Sequence, residues 1–150
     1  MQLPVPLRRQ GYRVAHRLLR SWWFIARPNV EGVKCLLTCG DRVLLVRHTY
    51  GRGEWDLPGG GIRRDEPPAE AARREMEEEL SLQLGELRAL GEIQARPYRA
   101  RDRIYCFQAE LSTPEVTIDE GELAAAEWYP RGQLPRDINR YVSRVLALAR

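Results

Sequence analysis

The decisive stretch of this 150-residue chain runs from Gly59 to Leu82 and reads GGGIRRDEPPAEAARREMEEELSL. Its glycine-rich start predicts a turn, and the two prolines that follow predict the opening of a helix, because the first helical turn needs no backbone donors. Apolar residues then recur at helical spacing and predict the buried stripe of that helix. They are Ala69, Ala72, Met76 and Leu80.

Three glutamates share one face of this predicted helix. Glu75, Glu78 and Glu79 stand at i, i+3 and i+4, where like charges oppose helix formation by roughly 0.2–0.5 kcal/mol per pair. A divalent cation bound between them would reverse that cost, and oxygen ligands select a hard cation such as Mg²⁺ or Mn²⁺. For the glutamate run by itself, the alternative is a solvated acidic face.

The flanking segments predict an α/β sandwich around a mixed sheet. Two apolar runs joined at Gly40 predict a hairpin, and Asp137 is the predicted cap of a last helix with Val142 and Val145 in its buried stripe. The order helix, strands, helix, strands, helix differs from a regular βαβ repeat. The predicted strands cover residues 32–38, 42–48, 84–95, 103–111, 116–118 and 125–129.

Residues 1–28 differ from the rest of the chain in charge. They carry six arginines and no acidic residue, whereas the other 18 basic and 21 acidic residues give a net charge of −3. The pI of about 9.0 therefore comes from this segment, which argues against a dedicated nucleic-acid-binding domain. The segment predicts a basic amphipathic helix that packs on the domain or at a homodimer interface; the alternatives are contact with a membrane surface and a transit peptide.

The cysteine pattern bears on the compartment. Cys35, Cys39 and Cys106 are odd in number and contain no CxxC pair, which argues against a disulfide framework and a zinc site. Their apolar surroundings predict buried thiols in a reducing cytoplasm. No apolar run is long enough to span a bilayer.

The stretch from Gly60 to Leu82 resembles the Nudix box, G-x5-E-x7-R-E-U-x-E-E-x-G-U, in which U is a bulky apolar residue. The segment WDLPGGG that starts at Trp55 and the segment EWYP that starts at Glu127 are also similar to the family. The resemblance covers residues 32 to about 148 and implies the family's α/β/α sandwich. The residues in register are Gly60, Glu66, Arg74, Glu75, Met76, Glu78, Glu79 and Leu82.

The resemblance implies a Mg²⁺-dependent hydrolase in residues 29–150, with Mn²⁺ as an alternative metal. Glu66 and Arg74 match a pair that supports the loop and helix around the metal. Glu122, six residues before Trp128, matches a further ligand or base in some members, with Glu120 as the alternative. The implied metal ligands are Glu75, Glu78, Glu79 and the Gly60 carbonyl, and the implied catalytic residues are Glu75, Glu78 and Glu122.

Ser81 departs from the family pattern by replacing the last glycine of the box. A glycine there permits a left-handed helix cap, and a serine in that conformation costs about 1 kcal/mol. We therefore expect the helix to end differently in this chain. No metal ligand is affected.

The implied reaction is attack of water on a phosphoanhydride of a nucleoside triphosphate or of a substrate linked to a nucleoside diphosphate. The residues after the box do not select the substrate: Pro97 resembles ADP-ribose-type hydrolases and Tyr98 resembles dinucleoside-polyphosphate hydrolases. The alternative is a non-catalytic Nudix domain that binds a nucleotide or a partner protein. Loss of a box glutamate would favour that alternative, and none is lost.

Overall fold

The protein is described by a computed structural model that covers residues 31–50, 53–96 and 99–150, so the predicted N-terminal helix lies outside the described residues. Neither helix within these ranges is long and apolar enough to cross a membrane. The elements are β1 (Glu31–Cys39), β2 (Arg42–His48), β3 (Gly59–Gly61), α1 (Pro68–Leu80), β4 (Arg88–Arg96), β5 (Arg99–Glu110), β6 (Leu123–Pro130) and α2 (Arg140–Leu148).

The strands form one mixed sheet. Five of them follow the order β4-β5-β1-β2-β6, in which β1 and β5 are parallel and the other neighbours are antiparallel. β3 pairs with the first half of β1, whereas β2 pairs with its end through the predicted hairpin at Gly40. β1 therefore has two different neighbours along one edge.

Residues 55–61 fill the space where β2 separates from β1. Asp56 exchanges two backbone hydrogen bonds with Val46 of β2, with N–O distances of 2.8 and 2.9 Å. On the other side, the Cys35 amide of β1 donates to the Pro58 carbonyl oxygen at 2.9 Å. The glycine-rich segment is thus held between two strands before the chain enters α1.

Two hydrophobic cores lie on opposite faces of the sheet. Neighbouring residues of a strand point to opposite faces, so the same strands contribute side chains to both cores. One helix covers each face, which confirms the α/β/α sandwich. All three cysteines are free, and two of them lie in these cores. The α1 side contains Val33, Leu37, Leu44 and Val46 with Ala72, Met76 and Leu80, and the α2 side contains Leu36, Val43 and Leu45 with Val142 and Val145.

α1 begins as predicted but ends in the left-handed conformation that was not expected for a serine. Pro68 is its first residue, and Ser81 follows its last turn with φ 55° and ψ 34°, in the left-handed region. The Ser81 amide donates to the Glu77 carbonyl oxygen, and the Leu82 amide donates to that of Met76. The expectation of a different helix end is wrong, because these two bonds satisfy carbonyls of the last turn and offset the strain on the serine.

Two other predictions, the cap of α2 and the strand at residues 116–118, are wrong. α2 is capped by Asn139, whose side chain accepts a hydrogen bond from an amide of the first turn, and not by Asp137, which pairs with Arg47. Residues 116–118 form no strand. The Thr117 amide donates instead to a carbonyl oxygen at the end of α1.

Candidate active site

Three glutamate carboxylates converge beside the glycine-rich segment. Glu75 and Glu79 lie on α1, and Glu122 immediately precedes β6. One oxygen from each carboxylate lies within 4.8 Å of the other two. The three residues are only 4%, 2% and 9% exposed. Buried carboxylates at such short distances cost free energy unless protons or a cation compensate their charge.

Gly59 and Gly60 bring the backbone against two of these carboxylates. The Gly59 amide donates to Glu79 Oε2 at 3.3 Å. A Cβ atom at Gly60 would lie 2.5 Å from the carboxyl carbon of Glu75, so a side chain there would have to displace that carboxylate. This close approach explains the need for glycine at position 60.

The surroundings of Glu79 disfavour its charged form. Burial, followed by the charges of Glu75 and Glu122, raises the pKa of Glu79 well above its ordinary value. The charge of Lys34 and the hydrogen bond from the Gly59 amide act in the opposite direction without cancelling this shift. A cation between the carboxylates would relieve the repulsion.

Arg74 connects α1 to the loop before it. Its Nε and Nη2 donate to the two oxygens of Glu66, each at 2.8 Å, and Nη2 also donates to the Gly61 carbonyl oxygen at 2.9 Å. Its Nη1 donates to Glu75 Oε1 at 2.8 Å. The side-chain hydrogen bonds from Arg74 are the main cause that lowers the pKa of Glu66 to about 2. The predicted pair is thus in contact, and its arginine also orients a carboxylate of the cluster.

Glu78 lies beside the cluster and not within it. Its side chain is 24% exposed, and its oxygens lie 3.4 Å from Arg63 Nη2 and from Arg74 Nη1. Glu120, the predicted alternative to Glu122, is exposed to solvent. The structure therefore gathers three of the predicted glutamates and leaves Glu78 on the solvent side.

The sequence reasoning missed a buried ion pair near these residues. Lys34 Nζ lies 2.5 Å from Asp56 Oδ2, and the two side chains are 13% and 11% exposed. Lys34 Nζ also donates to the Leu57 carbonyl oxygen at 3.3 Å, so the pair fixes the segment before the glycines to β1. One feature of the sequence could have indicated this ion pair: Lys34 is the sole lysine of the chain and lies between the apolar residues of a predicted strand.

The aromatic and histidine side chains near the site belong largely to the core. Trp55 is 5% exposed and packs edge-on against Tyr129, with ring centroids 5.4 Å apart. The His48 and Tyr50 rings lie 5.0 Å apart, and burial is the main cause that lowers the pKa of His48 to about 4. Trp55 therefore packs in the core, and His48 is neutral at neutral pH.

Comparison with known protein sequences agrees with this arrangement. The profile described as NUDIX domain matches residues 28–148. The chain is 38% identical over 147 residues to an RNA pyrophosphohydrolase of Saccharophagus degradans, a match that covers 81% of this chain and 85% of that protein. It is 32% identical over 103 residues to an ADP-ribose pyrophosphatase of Mycobacterium tuberculosis, covering 65% of this chain and 49% of that protein. The chain thus spans about half the length of the mycobacterial relative.

Solved structures share the fold. A MutT NUDIX hydrolase from Burkholderia pseudomallei has a TM-score of 0.71 at 22% identity, covering 80% of this chain and 97% of that one. The NUDIX domain of Shewanella oneidensis NrtR, in complex with ADP ribose, has a TM-score of 0.69 at 21% identity, covering 90% and 95%. These likenesses establish the fold, and the profile match over most of the chain establishes the family. The chain belongs to the Nudix hydrolase family.

Proposed function

We propose that this Nudix protein is a divalent-cation-dependent hydrolase that cleaves a phosphoanhydride bond in a nucleotide-like substrate. The proposal rests on the buried group of Glu75, Glu79 and Glu122, in which one oxygen of each carboxylate lies within 4.8 Å of the other two. An oxygen-only donor set suits Mg²⁺ or Mn²⁺. The raised pKa of Glu79 supports the same assignment, because carboxylates that repel one another gain free energy from a bound cation.

These three carboxylates would hold the cation, with the Gly60 carbonyl oxygen as a further ligand. We place Glu122 in the ligand set instead of Glu78, the remaining glutamate that the resemblance implies as a ligand, because Glu78 lies on the solvent side of the cluster. When bound, the cation would neutralise charge that develops on the phosphate and thereby lower the barrier to attack by water. Arg74 holds the Glu75 carboxylate, and Glu66 holds Arg74, so this pair orients the site from outside.

Of the three implied catalytic residues, we favour Glu78 and Glu122 for the base that accepts a proton from water, because the carboxylate of the third, Glu75, is held by Arg74 at 2.8 Å. Glu78 is partly exposed on the solvent side, whereas Glu122 lies on a segment separate from α1. In either case an O–H bond of water breaks, its oxygen bonds to phosphorus, and the bridging P–O bond breaks. The two products each carry a phosphate from the cleaved diphosphate.

The names of two relatives support a nucleotide-linked substrate. One is an RNA pyrophosphohydrolase and another an ADP-ribose pyrophosphatase. ADP-ribose contains a diphosphate attached to a nucleoside, and we propose for this chain a substrate in which a nucleoside carries a diphosphate link or a triphosphate. Pro97 and Tyr98, the residues that gave opposite indications, lie outside the described residues.

A hydrolysis screen of the full chain, with the products separated by ion-exchange chromatography, tests the proposal. The panel contains ADP-ribose, a 5′-triphosphorylated RNA and nucleoside triphosphates, each with Mg²⁺ or Mn²⁺, and mass spectrometry in ¹⁸O-water identifies the phosphorus that is attacked. We expect turnover to stop in excess chelator and to fall at least about tenfold in Glu79→Gln, as typical for loss of a metal ligand or its support. The matched control is Glu77→Gln, an exposed neighbour on the same helix that should retain turnover.

The same variants assign the base. Loss of the base should lower kcat more than it raises KM, so this behaviour is expected in Glu122→Gln or in Glu78→Gln. An unchanged kcat in Glu122→Gln with a clear loss in Glu120→Gln would move the role to Glu120. Full turnover in excess chelator would refute the metal-dependent reaction, and ADP-ribose binding without turnover of any substrate would favour a non-catalytic binding module.

A further inference from the structure

Glu122 is the member of the carboxylate cluster that does not lie on α1, so its position depends on the turn before β6. Asp119 organises that turn. Its Oδ1 accepts a hydrogen bond from the Gly121 amide at 2.9 Å, which forms an Asx turn. Its carbonyl oxygen accepts from the Glu122 amide at 3.0 Å and from the Leu123 amide at 2.8 Å. One residue therefore accepts hydrogen bonds from three consecutive amides.

The turn is also bonded to the end of α1. The Asp119 amide donates to the Glu79 carbonyl oxygen at 2.8 Å, and the Thr117 amide donates to the Leu80 carbonyl oxygen at 3.2 Å. Carbonyls of a last helical turn lack partners within the helix and are available for such bonds. Glu79 thus contributes its carboxylate to the cluster and its carbonyl to the turn that carries Glu122.

Thr49, directly after β2, fixes the turn from the other side. Its amide donates to the Glu122 carbonyl oxygen at 2.9 Å. Its hydroxyl group lies 3.1 Å from the Gly121 carbonyl oxygen and 3.3 Å from that of Glu122, in a geometry that lets it donate to either. The backbone of Glu122 is therefore bonded at its amide and at its carbonyl.

We propose that Asp119 is a positioning residue whose carboxylate holds Glu122 against Glu75 and Glu79. The inference rests on the proposed function, in which Glu122 is a metal ligand or base. Mutual repulsion of the three carboxylates tends to drive Glu122 out of the cluster before a cation binds. The Asx turn and its bonds to α1 oppose that displacement, so the chain is preorganised to receive a divalent cation.

The test is the affinity of the full chain for Mn²⁺, measured by calorimetry without substrate. Asp119→Ala removes the acceptor and should weaken binding about tenfold, as for other residues that orient metal ligands. Asp119→Asn keeps an oxygen acceptor and should stay within about twofold, because asparagine also forms Asx turns. Glu115→Gln removes one negative charge from an exposed position of the same segment and should leave the affinity unchanged.

A double variant separates positioning from general stabilisation. If Asp119 acts through Glu122, Asp119→Ala should have no further effect in a Glu122→Gln background, because residues that act through one another are not additive. Equal losses in Asp119→Ala and Asp119→Asn would overturn the proposal, as would additive losses in the double variant. If Glu122→Gln alone changes neither Mn²⁺ affinity nor turnover, the proposed role of Glu122 is wrong and the inference falls with it.

Thr49 keeps the proposal testable if Asp119→Ala does not fold. Thr49→Val removes the hydroxyl donor to the turn, and Thr49→Ser retains it, without a change of charge. Melting curves identify the folded variants. We expect weaker Mn²⁺ binding in Thr49→Val than in Thr49→Ser; equal affinities in these two would count against a turn that positions Glu122.

Discussion

Among single residues, Gly60 lies directly against a carboxylate of the cluster and leaves no room for a side chain. A Cβ atom there would lie 2.5 Å from the carboxyl carbon of Glu75 and 2.6 and 2.7 Å from its oxygens. These atoms end a flexible side chain, so Gly60→Ala should cost only about 1 kcal/mol of unfolding free energy while the Glu75 carboxylate rotates away. We expect Mn²⁺ affinity to fall about tenfold, as measured by calorimetry.

Gly85→Ala is the matched control for this substitution, since a Cβ atom at Gly85 would meet nothing within 4 Å. It should change neither Mn²⁺ affinity nor the urea midpoint appreciably. Undiminished Mn²⁺ affinity in Gly60→Ala would show that the position of the Glu75 carboxylate does not matter for binding. A large loss of stability would instead show that the backbone, and not the side chain, absorbs the clash.

The residues that could be predicted at this scale are those close in sequence. The spacing of Glu75 and Glu79 places both on one helix face, and the structure finds them together there. Glu122 joins them from a segment 43 residues beyond Glu79, so only the family resemblance indicated it. The ion pair of Lys34 and Asp56 joins two segments with no local pattern between them, and it was not predicted.

Among the elements, α1 has a C-terminus at which a single substitution should stabilise the protein. Ser81 adopts φ 55°, a conformation that glycine takes without a Cβ penalty. Ser81→Gly should therefore raise the unfolding free energy by about 1 kcal/mol in urea denaturation. The same exchange at Ser143, an exposed position within α2, should lower it by about 0.5 kcal/mol because glycine disfavours helix interiors. A loss of stability in Ser81→Gly would mean that the serine side chain contributes more than the strain costs.

Element boundaries followed the sequence where local signals decided them. The prolines placed the start of α1 correctly, whereas the cap of α2 is Asn139 and not Asp137, because two backbone hydrogen bonds between Trp55 and residues 137 and 139 keep that segment extended. The apolar stretch at 116–118 looked like a strand but supplies an amide to the end of α1. In both cases the local structure depends on a partner distant in sequence, and the periodicity of apolar residues carries no information about such partners.

At the scale of the whole molecule, the strand order lies beyond what the sequence pattern could predict. The hairpin of β1 and β2 follows from its short turn, but β1 also pairs in parallel with β5, from Glu31 opposite Arg103 to Thr38 opposite Glu110. Such pairings depend on how two cores are filled at once and have no local signature. The site depends on this topology. Because β1 and β2 separate, the glycine-rich segment can lie between them and beside α1.

The basic segment 1–28 raises the remaining question at this scale, and it lies outside the described residues. Its apolar stripe includes Leu18, Trp22 and Ile25, and we predict that it docks on the domain or on a second copy. The Nudix profile match starts at residue 28, so deletion of 1–27 leaves the matched region intact. Burial of two tryptophans stabilises by several kcal/mol at roughly 25 cal/mol per Å², so the deletion should lower the melting temperature or shift the oligomeric state.

Attachment to a membrane surface predicts a different result for the same deletion. Six arginines without an acidic residue would then bind anionic vesicles in a salt-sensitive way, and the deletion would barely change melting. Melting curves, light scattering and vesicle co-sedimentation of the full chain and the deletion variant distinguish the two. Mn²⁺ affinity should be equal in both proteins, because the deletion removes none of the three clustered glutamates. If the two melt alike and only the full chain sediments with vesicles, the segment is a membrane contact and the docking prediction is wrong.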